Sequence, residues 1–405
     1  MATTTSSLIF EEHLTSAFGE LRRALEDAVG SVGVSPSVPQ EVARRLGINR
    51  NLTWKISKVV GTSDLYQALQ HLPGDEAIEI LLQAIGRAGS SPDVIERVRA
   101  AQRGFSHVVE VHTGDRSTLE LVLDSMGGGP SERLEQSRKL AFRGNSGLWG
   151  VQARCRATTF LLAPSADDPE KLDTGRIGGM IDLRRLRSGV HWPLFRRRTY
   201  HDDGTPMPVD PGREIAIDPA YDQAEGPMLI GDFCTPGLPS ISLTRERLGF
   251  VYELGDGPIG NTGLCSCFFG AILRSGVPRY RTSEDRFGEL FSEITLPIET
   301  LQLDLIVHRD LEFALSPQVV VRGQIAGVHA DGRAPEIPIG ERPVELTGRP
   351  PAMHSPVVPR YDELLTRVFA RGNWDRREFR AFRLLVQYPP MHSTVIVRFE
   401  LPERR

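Results

Sequence analysis

The sequence predicts an all-α N-terminal domain followed by a larger α+β domain, and three observations carry that prediction. Apolar residues recur at spacings of three and four through the first 126 residues, the period of helices with one buried face. The stretch "MGGGPSER" (126–133) then interrupts the pattern with three glycines and a proline, the composition of a linker. Beyond it come short segments rich in β-branched residues or alternating in polarity, which read as strands. The chain of 405 residues is long enough for two or three domains. The expected division is 1–126 all-α, 127–133 a Gly-rich linker, and 134–405 α+β, with a ligand-binding or oligomerisation role for the last.

In chain order, "FEEHLTSAFGELRRALEDAV" places Phe10, Leu14, Phe18, Leu21 and Leu25 on one helical face. In "VPQEVARRLGINRNLTWKISKVV" (38–60) two short helical patterns flank Gly47. Ser37 and Gln40 have capping-box spacing, with Pro39 in the first turn where its missing N–H does no harm. Gly47 can take the positive φ of a tight inter-helix turn, and Asn49 suits the cap of the next helix. The segments "SDLYQALQHL", "DEAIEILLQAIGRAG", "SPDVIERVRAAQRGF" and "DRSTLELVLDSM" continue the helical period, with Ser63, Asp75, Ser91 and Asp115 as expected caps. After the linker, "VQARCRATTFLLAP", "LQLDLIVHRDLEF", "QVVVRGQIAGV" and "STVIVRFEL" read as strands. In the second, Leu301, Leu303, Leu305 and Val307 face one way, and Gln302 and Asp304 the other. "DRFGELFSEI" and "RYDELLTRVFARG" read as two interspersed helices.

The formal charge of −4 and pI near 6.2 exclude a protein coated in positive charge, so any nucleic-acid site must be local. Residues 1–126 are themselves acidic, twelve Lys and Arg against sixteen Asp and Glu. Four cysteines without paired metal spacing suit a reducing compartment. With no secretory signal and no apolar run long enough for a bilayer, the sequence reads as a cytoplasmic protein with no membrane partner.

The helix after Gly47 has two unlike faces. Leu52, Ile56, Val59 and Val60 fall in one stripe about 100° wide, a core face. Asn51, Trp54 and Lys58 fall opposite, with Arg50 beside them and Lys55 on the flank. From Glu41 to Val60 the basic residues are Arg44, Arg45, Arg50, Lys55 and Lys58, against one acid, Glu41. With Ala43, Gly47 and Ile56 at the small, glycine and hydrophobic positions, this stretch resembles the helix-turn-helix superfamily of DNA-binding domains, and "LGINRN" looks like its turn and the start of a recognition helix. Thr53 stands where that family usually has an aliphatic residue.

The resemblance implies a helix-turn-helix-containing first domain, double-stranded DNA as partner and action as a homodimer. It implies base contact by Asn49, Arg50, Asn51, Trp54 and Lys58, and phosphate contact by Arg44, Arg45 and Lys55. The whole then reads as a transcription regulator whose second domain senses a small-molecule or protein effector or oligomerises. Two alternatives stay open: the same helical face docks a protein, or 134–405 houses an enzyme.

Other motifs weigh less. "GDGPIG" (255–260) has dinucleotide-loop spacing, but Pro258 and the absence of a following strand ending in an acid favour a turn. Cys265 and Cys267 form C-x-C without further ligands and read as buried thiols. "LRRLRSGVHWPLFRRRTYHDDG" interleaves Arg184, Arg185, Arg187, Arg196, Arg197 and Arg198 with Trp192, Phe195 and Tyr200. That pattern suits single-stranded nucleic acid or, preferably, arginines paired with acids such as Asp202, Asp203 and Glu214. His201, Asp202 and Asp203 are too close in sequence to converge easily on a metal. Ser146 has no base that sequence can name. No catalytic residue, metal or cofactor is predicted.

Overall fold

Leu14, Phe18, Leu21 and Leu25 line one side of α1 (Ala2–Gly30) and are buried. The computed structural model describes residues 2–404 apart from 126–130, 190, 199–200, 202–204, 206, 208–212, 223–225, 247–248 and 325–333. It divides into two units, Met1–Leu134 and Glu135–Arg405. The glycine run of the expected linker falls on 126–130, outside the described residues.

The first unit is helical. After α1 come α2 (Pro39–Leu46), α3 (Arg50–Gly61), α4 (Leu65–Leu69), α5 (Asp75–Arg87), α6 (Pro92–Thr113) and α7 (Arg116–Ser125). Helix α1 packs along α6, with Phe18 and Phe105 rings 6.1 Å apart. One core gathers α1, α2, α3, α5, α6 and α7, with Ile56, Ile78, Leu81, Leu82, Ile85 and Leu119 almost fully buried. Asp115 caps α7, its Oδ1 accepting from the Thr118 N–H at 2.7 Å. The cap of α4 is Asp64, one residue beyond the expected Ser63, because its carboxylate reaches the Gln67 N–H at 2.8 Å. Asp75 lies inside the first turn of α5 rather than at its cap, which is Gly74. At α6, Ser91 holds the cap position without a side-chain bond. Among the described residues no helix is long and apolar enough to cross a membrane.

The second unit is α+β. Helix α8 (Ser131–Trp149) leads into β1 (Val151–Pro164), β2 (Lys171–Arg185), β3 (Trp192–Arg198), β4 (Glu214–Ala216), β5 (Ile241–Glu246), β6 (Gly249–Leu254), β7 (Cys265–Pro278), β8 (Phe287–Ile294), β9 (Ile298–His308), β10 (Gln318–Gly323) and β11 (Val344–Leu346). Helix α9 (Tyr361–Gly372), β12 (Phe379–Gln387) and β13 (Ser393–Glu400) complete it. The main sheet has the order β11-β12-β9-β1-β2-β7-β4. Its central pair, β1 and β9, is parallel and its other pairings are antiparallel. Two smaller sheets, β10-β13-β8 and β3-β6-β5, share the core on one face of the main sheet. Helix α9 covers the other face.

Segment 285–294 corrects the helix expected there. It forms β8, pairing antiparallel with β13 from Phe287 opposite Glu400 to Ile294 opposite Ser393. Phe287, Leu290, Phe291 and Ile294 have helical spacing, and the ladder overrides it, since long-range pairing outweighs weak local propensity.

Strand β9 alternates as expected, but its polar side does not meet water. Gln302 and Asp304 are each 1% exposed, sealed beneath α9. Arg383 of β12 donates from Nε to Asp304 Oδ1 at 2.9 Å and from Nη2 to Oδ2 at 2.7 Å. The Tyr361 hydroxyl donates to Oδ2 at 2.7 Å, and Gln302 Nε2 to the same oxygen at 3.2 Å. Tyr361 also meets Thr159 Oγ1 of β1 at 2.7 Å. Burial beside this carboxylate pushes the Tyr361 phenol well above its ordinary range, so it stays a donor. A buried charge is tolerated only when fully bonded.

Arg383→Met, which strands the carboxylate, is expected to cost about 3–5 kcal/mol, and the paired change Asp304→Leu with Arg383→Leu distinctly less. Denaturant unfolding followed by tryptophan emission reads this, because Trp149, Trp192 and Trp374 all lie in the second unit. Equal losses for the single and paired changes would contradict it.

Candidate nucleic-acid interface

Helix α2 ends because Gly47 turns left-handed, at φ 66°, and its N–H bonds back to the Ala43 carbonyl. That conformation strains any residue with a Cβ. Three residues on, α3 begins, with the Asn49 side-chain oxygen accepting from the Asn51 N–H at 2.7 Å. The start of α2 differs from expectation. Its cap is Val38 and no side chain bonds there, since Ser37 instead pairs with Ser35 through their hydroxyls at 2.7 Å.

The two faces of α3 fall where their sequence places them. Leu52, Ile56 and Val59 are buried and Val60 is half-buried. Thr53 is also buried, and its hydroxyl donates to the Arg50 carbonyl at 3.0 Å. A self-satisfied hydroxyl presents its methyl to the core, so the position serves without an aliphatic residue. Asn49, Arg50, Asn51 and Lys58 are exposed, Lys55 is half-buried, and Arg44 and Arg45 project from α2 into solvent.

Trp54 is 43% exposed. Its ring lies edge-on to His71 at 5.1 Å, and the Lys58 ammonium sits 5.8 Å from its centroid. Among the described residues, Arg44, Arg45, Arg50, Lys55 and Lys58 enter no ion pair. Arg99 and Arg103, by contrast, are paired with Glu79 at 2.8 Å and Glu96 at 2.7 Å. The Arg22 guanidinium donates to the Thr62 carbonyl at 3.0 Å, tying the end of α3 to α1. All eight predicted contact residues thus lie on α2, α3 or the turn between them. Among the described residues, the only side-chain hydrogen bond these eight make is the Asn49 cap, while Trp54 rests against His71.

The remaining sequence motifs disperse. The arginine-rich stretch is not one patch: Arg185 is buried with its guanidinium on the Gly255 carbonyl, Arg184 donates to Asn261 Oδ1 at 3.3 Å, and Arg196 meets Glu293 at 3.4 Å. Glu293, on β8, is an acid the sequence reading did not name. The Arg197 and Arg198 side chains and Tyr200 lie outside the described residues, as do Asp202 and Asp203. His201 contacts Asp285 at 3.0 Å. Loop 255–260 leads from β6 into a short 3-10 turn, Gly260–Gly263, not into the helix a dinucleotide site requires. Ser146 is buried in α8, donating to the Phe142 carbonyl at 2.8 Å. Burial pushes the Cys155 thiol up to about 12 and the Cys267 thiol well above its usual range, and raises Cys265 too. Protonated thiols are poor nucleophiles and poor ligands.

No family model matches the chain, and no curated protein matches it. Among solved structures, the crystal structure of a "putative protease" from Parabacteroides distasonis aligns with 62% of this chain at 8% identity and a TM-score of 0.25. The alignment spans 41% of that protein's length. At that score it bears on neither fold nor activity.

Asn49→Ala is expected to destabilise the helical unit by about 1 kcal/mol, and Gly47→Ala by about 1–2 kcal/mol. Thermal unfolding monitored by circular dichroism measures both, and an unchanged midpoint for either would contradict its role. A colorimetric disulfide reagent should label Cys155, Cys265 and Cys267 only after denaturation, and rapid native labelling of any of the three would show an accessible thiolate.

Proposed function

We propose that the protein is a DNA-binding transcription regulator whose helical unit presents α3 as the recognition helix of a helix-turn-helix. In this reading it acts in the cytoplasm as a homodimer, and its β-rich unit senses an effector or mediates oligomerisation. One observation carries it: α3 buries its aliphatic stripe and turns an amide, an indole and cations outward, with those cations free of acidic partners among the described residues. A phosphate backbone is the partner such a surface lacks. Asn51 is exposed, and an asparagine amide can bond adenine twice. Asn49, whose oxygen is held by the cap, serves here to fix the helix start, leaving its NH2 group for contact. Arg50, Trp54 and Lys58 complete the groove face, and Arg44, Arg45 and Lys55 flank it towards phosphate. A dimer would read two half-sites about 34–36 Å apart.

A second reading has its own support. A half-exposed tryptophan set edge-on to a histidine is the kind of anchor that dominates protein interfaces, so the same face would dock a protein.

Fluorescence anisotropy on a duplex selected from a random pool, at several salt concentrations, separates the two. On the DNA reading affinity falls steeply with salt, and Arg44→Ala or Lys55→Ala each reduces the log–log slope by about one. Asn51→Ala is expected to cost about 1–3 kcal/mol on the selected site and little on random duplex. If wild type, Asn51→Ala and Lys58→Ala bind the selected duplex alike, α3 is not the reading helix. Salt-insensitive DNA binding together with a partner lost in Trp54→Ala favours the protein-docking alternative.

A further inference from the structure

Strand alternation sends Arg156, Thr158 and Phe160 of β1 to the face away from α9, into the space under the two smaller sheets. Arg156 is only 4% exposed, and among the described residues it makes no ion pair, although the Glu293 charge acts on it. Its Nε donates to Ser292 Oγ at 3.0 Å and its Nη1 to the Leu194 carbonyl at 2.8 Å. Its plane lies 4.5 Å from the centre of the Phe195 ring. Among the described residues Nη2 meets no acceptor, which leaves one arm of the fork available. Burial brings this guanidinium down to about 10, still cationic at neutral pH.

Arg156 lines a cavity between the main sheet and the smaller sheets. Phe160, Phe195, Tyr252, Phe269 and Phe291 supply aromatic surface. Phe269 packs against Phe195 at 4.8 Å and against Tyr252 at 4.9 Å. Gly178 on the floor admits this arrangement, because a Cβ there would come within 2.6 Å of the Phe195 ring. Arg176, Arg196 and Glu214 also line it, and Arg196 meets Glu293 at 3.4 Å. An adjoining cavity shares Phe160, Arg176 and Phe291 and carries Asp285 and Glu289, which pair with His201 and Arg398. The buried cation favours an anion at the Arg156 end. Arg176, Phe195, Ala271 and Phe291 along it are half-buried.

We propose that this chamber binds a small ring-bearing monocarboxylate, its carboxylate on the guanidinium of Arg156 and its ring among Phe160, Phe195, Phe269 and Phe291. A buried, oriented guanidinium can bond a carboxylate strongly, and aromatic walls exclude water around the pair. The site deepens the sensing role given above to the β-rich unit and names its ligand class. It requires nothing of α3.

Titration calorimetry on the full chain without DNA tests it, with naphthoate, naphthamide and naphthylmethylamine as probes. Naphthoate should saturate one site per chain, and the neutral and cationic analogues should bind about tenfold weaker or not at all. Ala271→Leu fills the chamber without touching a hydrogen bond of Arg156 and should abolish naphthoate binding at an unchanged unfolding midpoint. Arg156→Lys keeps the charge but loses the planar fork, and should weaken naphthoate about tenfold or more. No saturable naphthoate binding at millimolar concentration, equal affinity for the amide, or full affinity in folded Ala271→Leu overturns the proposal. Because DNA is absent, a failure of the DNA reading leaves these outcomes untouched, and the reverse holds as well.

Discussion

The carboxylate of Asp304 is the constraint from which the β-rich unit is organised. It lies sealed between the central sheet and α9, and it receives Arg383 from β12, Tyr361 from α9 and Gln302 from its own strand. Through Tyr361 it also reaches Thr159 on β1. An unsatisfied charge at this depth would outweigh the gain from several apolar contacts, so the elements that satisfy it must arrive together. Their arrival places α9 on the sheet, and α9 converts an ordinary one-sided sheet into a layer dry on both faces. The opposite face can then serve as a firm floor for the aromatic chamber around Arg156.

The helical unit was largely readable from its sequence because its information is local. Residues three and four apart share a face whatever the rest of the chain does, so Leu52, Ile56 and Val59 could be assigned to the core and Asn51 and Trp54 to the surface. Gly47 and Asn49 announce a turn and a cap by chemistry that acts within a few residues. The misplaced caps show the limit of that legibility. Ser37 and Ser63 are capable of capping, but Ser37 bonds Ser35 and Asp64 reaches the helix first.

The β-rich unit was legible in its strands and opaque in its layering. Segments 151–164 and 393–400 declare themselves by composition, whereas 287–294 becomes a strand only because β13 is there to pair with it. Alternation put Gln302 and Asp304 on the second face of β9, and nothing nearby in sequence says that a helix more than fifty residues later covers it. The arginines after Leu183 illustrate the same point for charge. Density along the chain left a nucleic-acid patch open and favoured pairing with acids, and the fold places Arg185 on a backbone carbonyl and Arg196 on Glu293, an acid distant in sequence. Arg156, two residues from Arg154 on β1 and unremarked in sequence, is a cation that burial makes distinctive.

The central pairing of β1 with β9 has a consequence for how the protein is made. Seven intervening strands leave the ribosome before β1 can find its parallel neighbour. Until then β1 has β2 on one side and a bare apolar edge on the other, the kind of edge that recruits foreign strands. Loop closure over such a distance is slow. The nascent chain therefore carries a sticky half-sheet for much of its synthesis, and the helical unit ahead of it can finish folding long before its companion has closed.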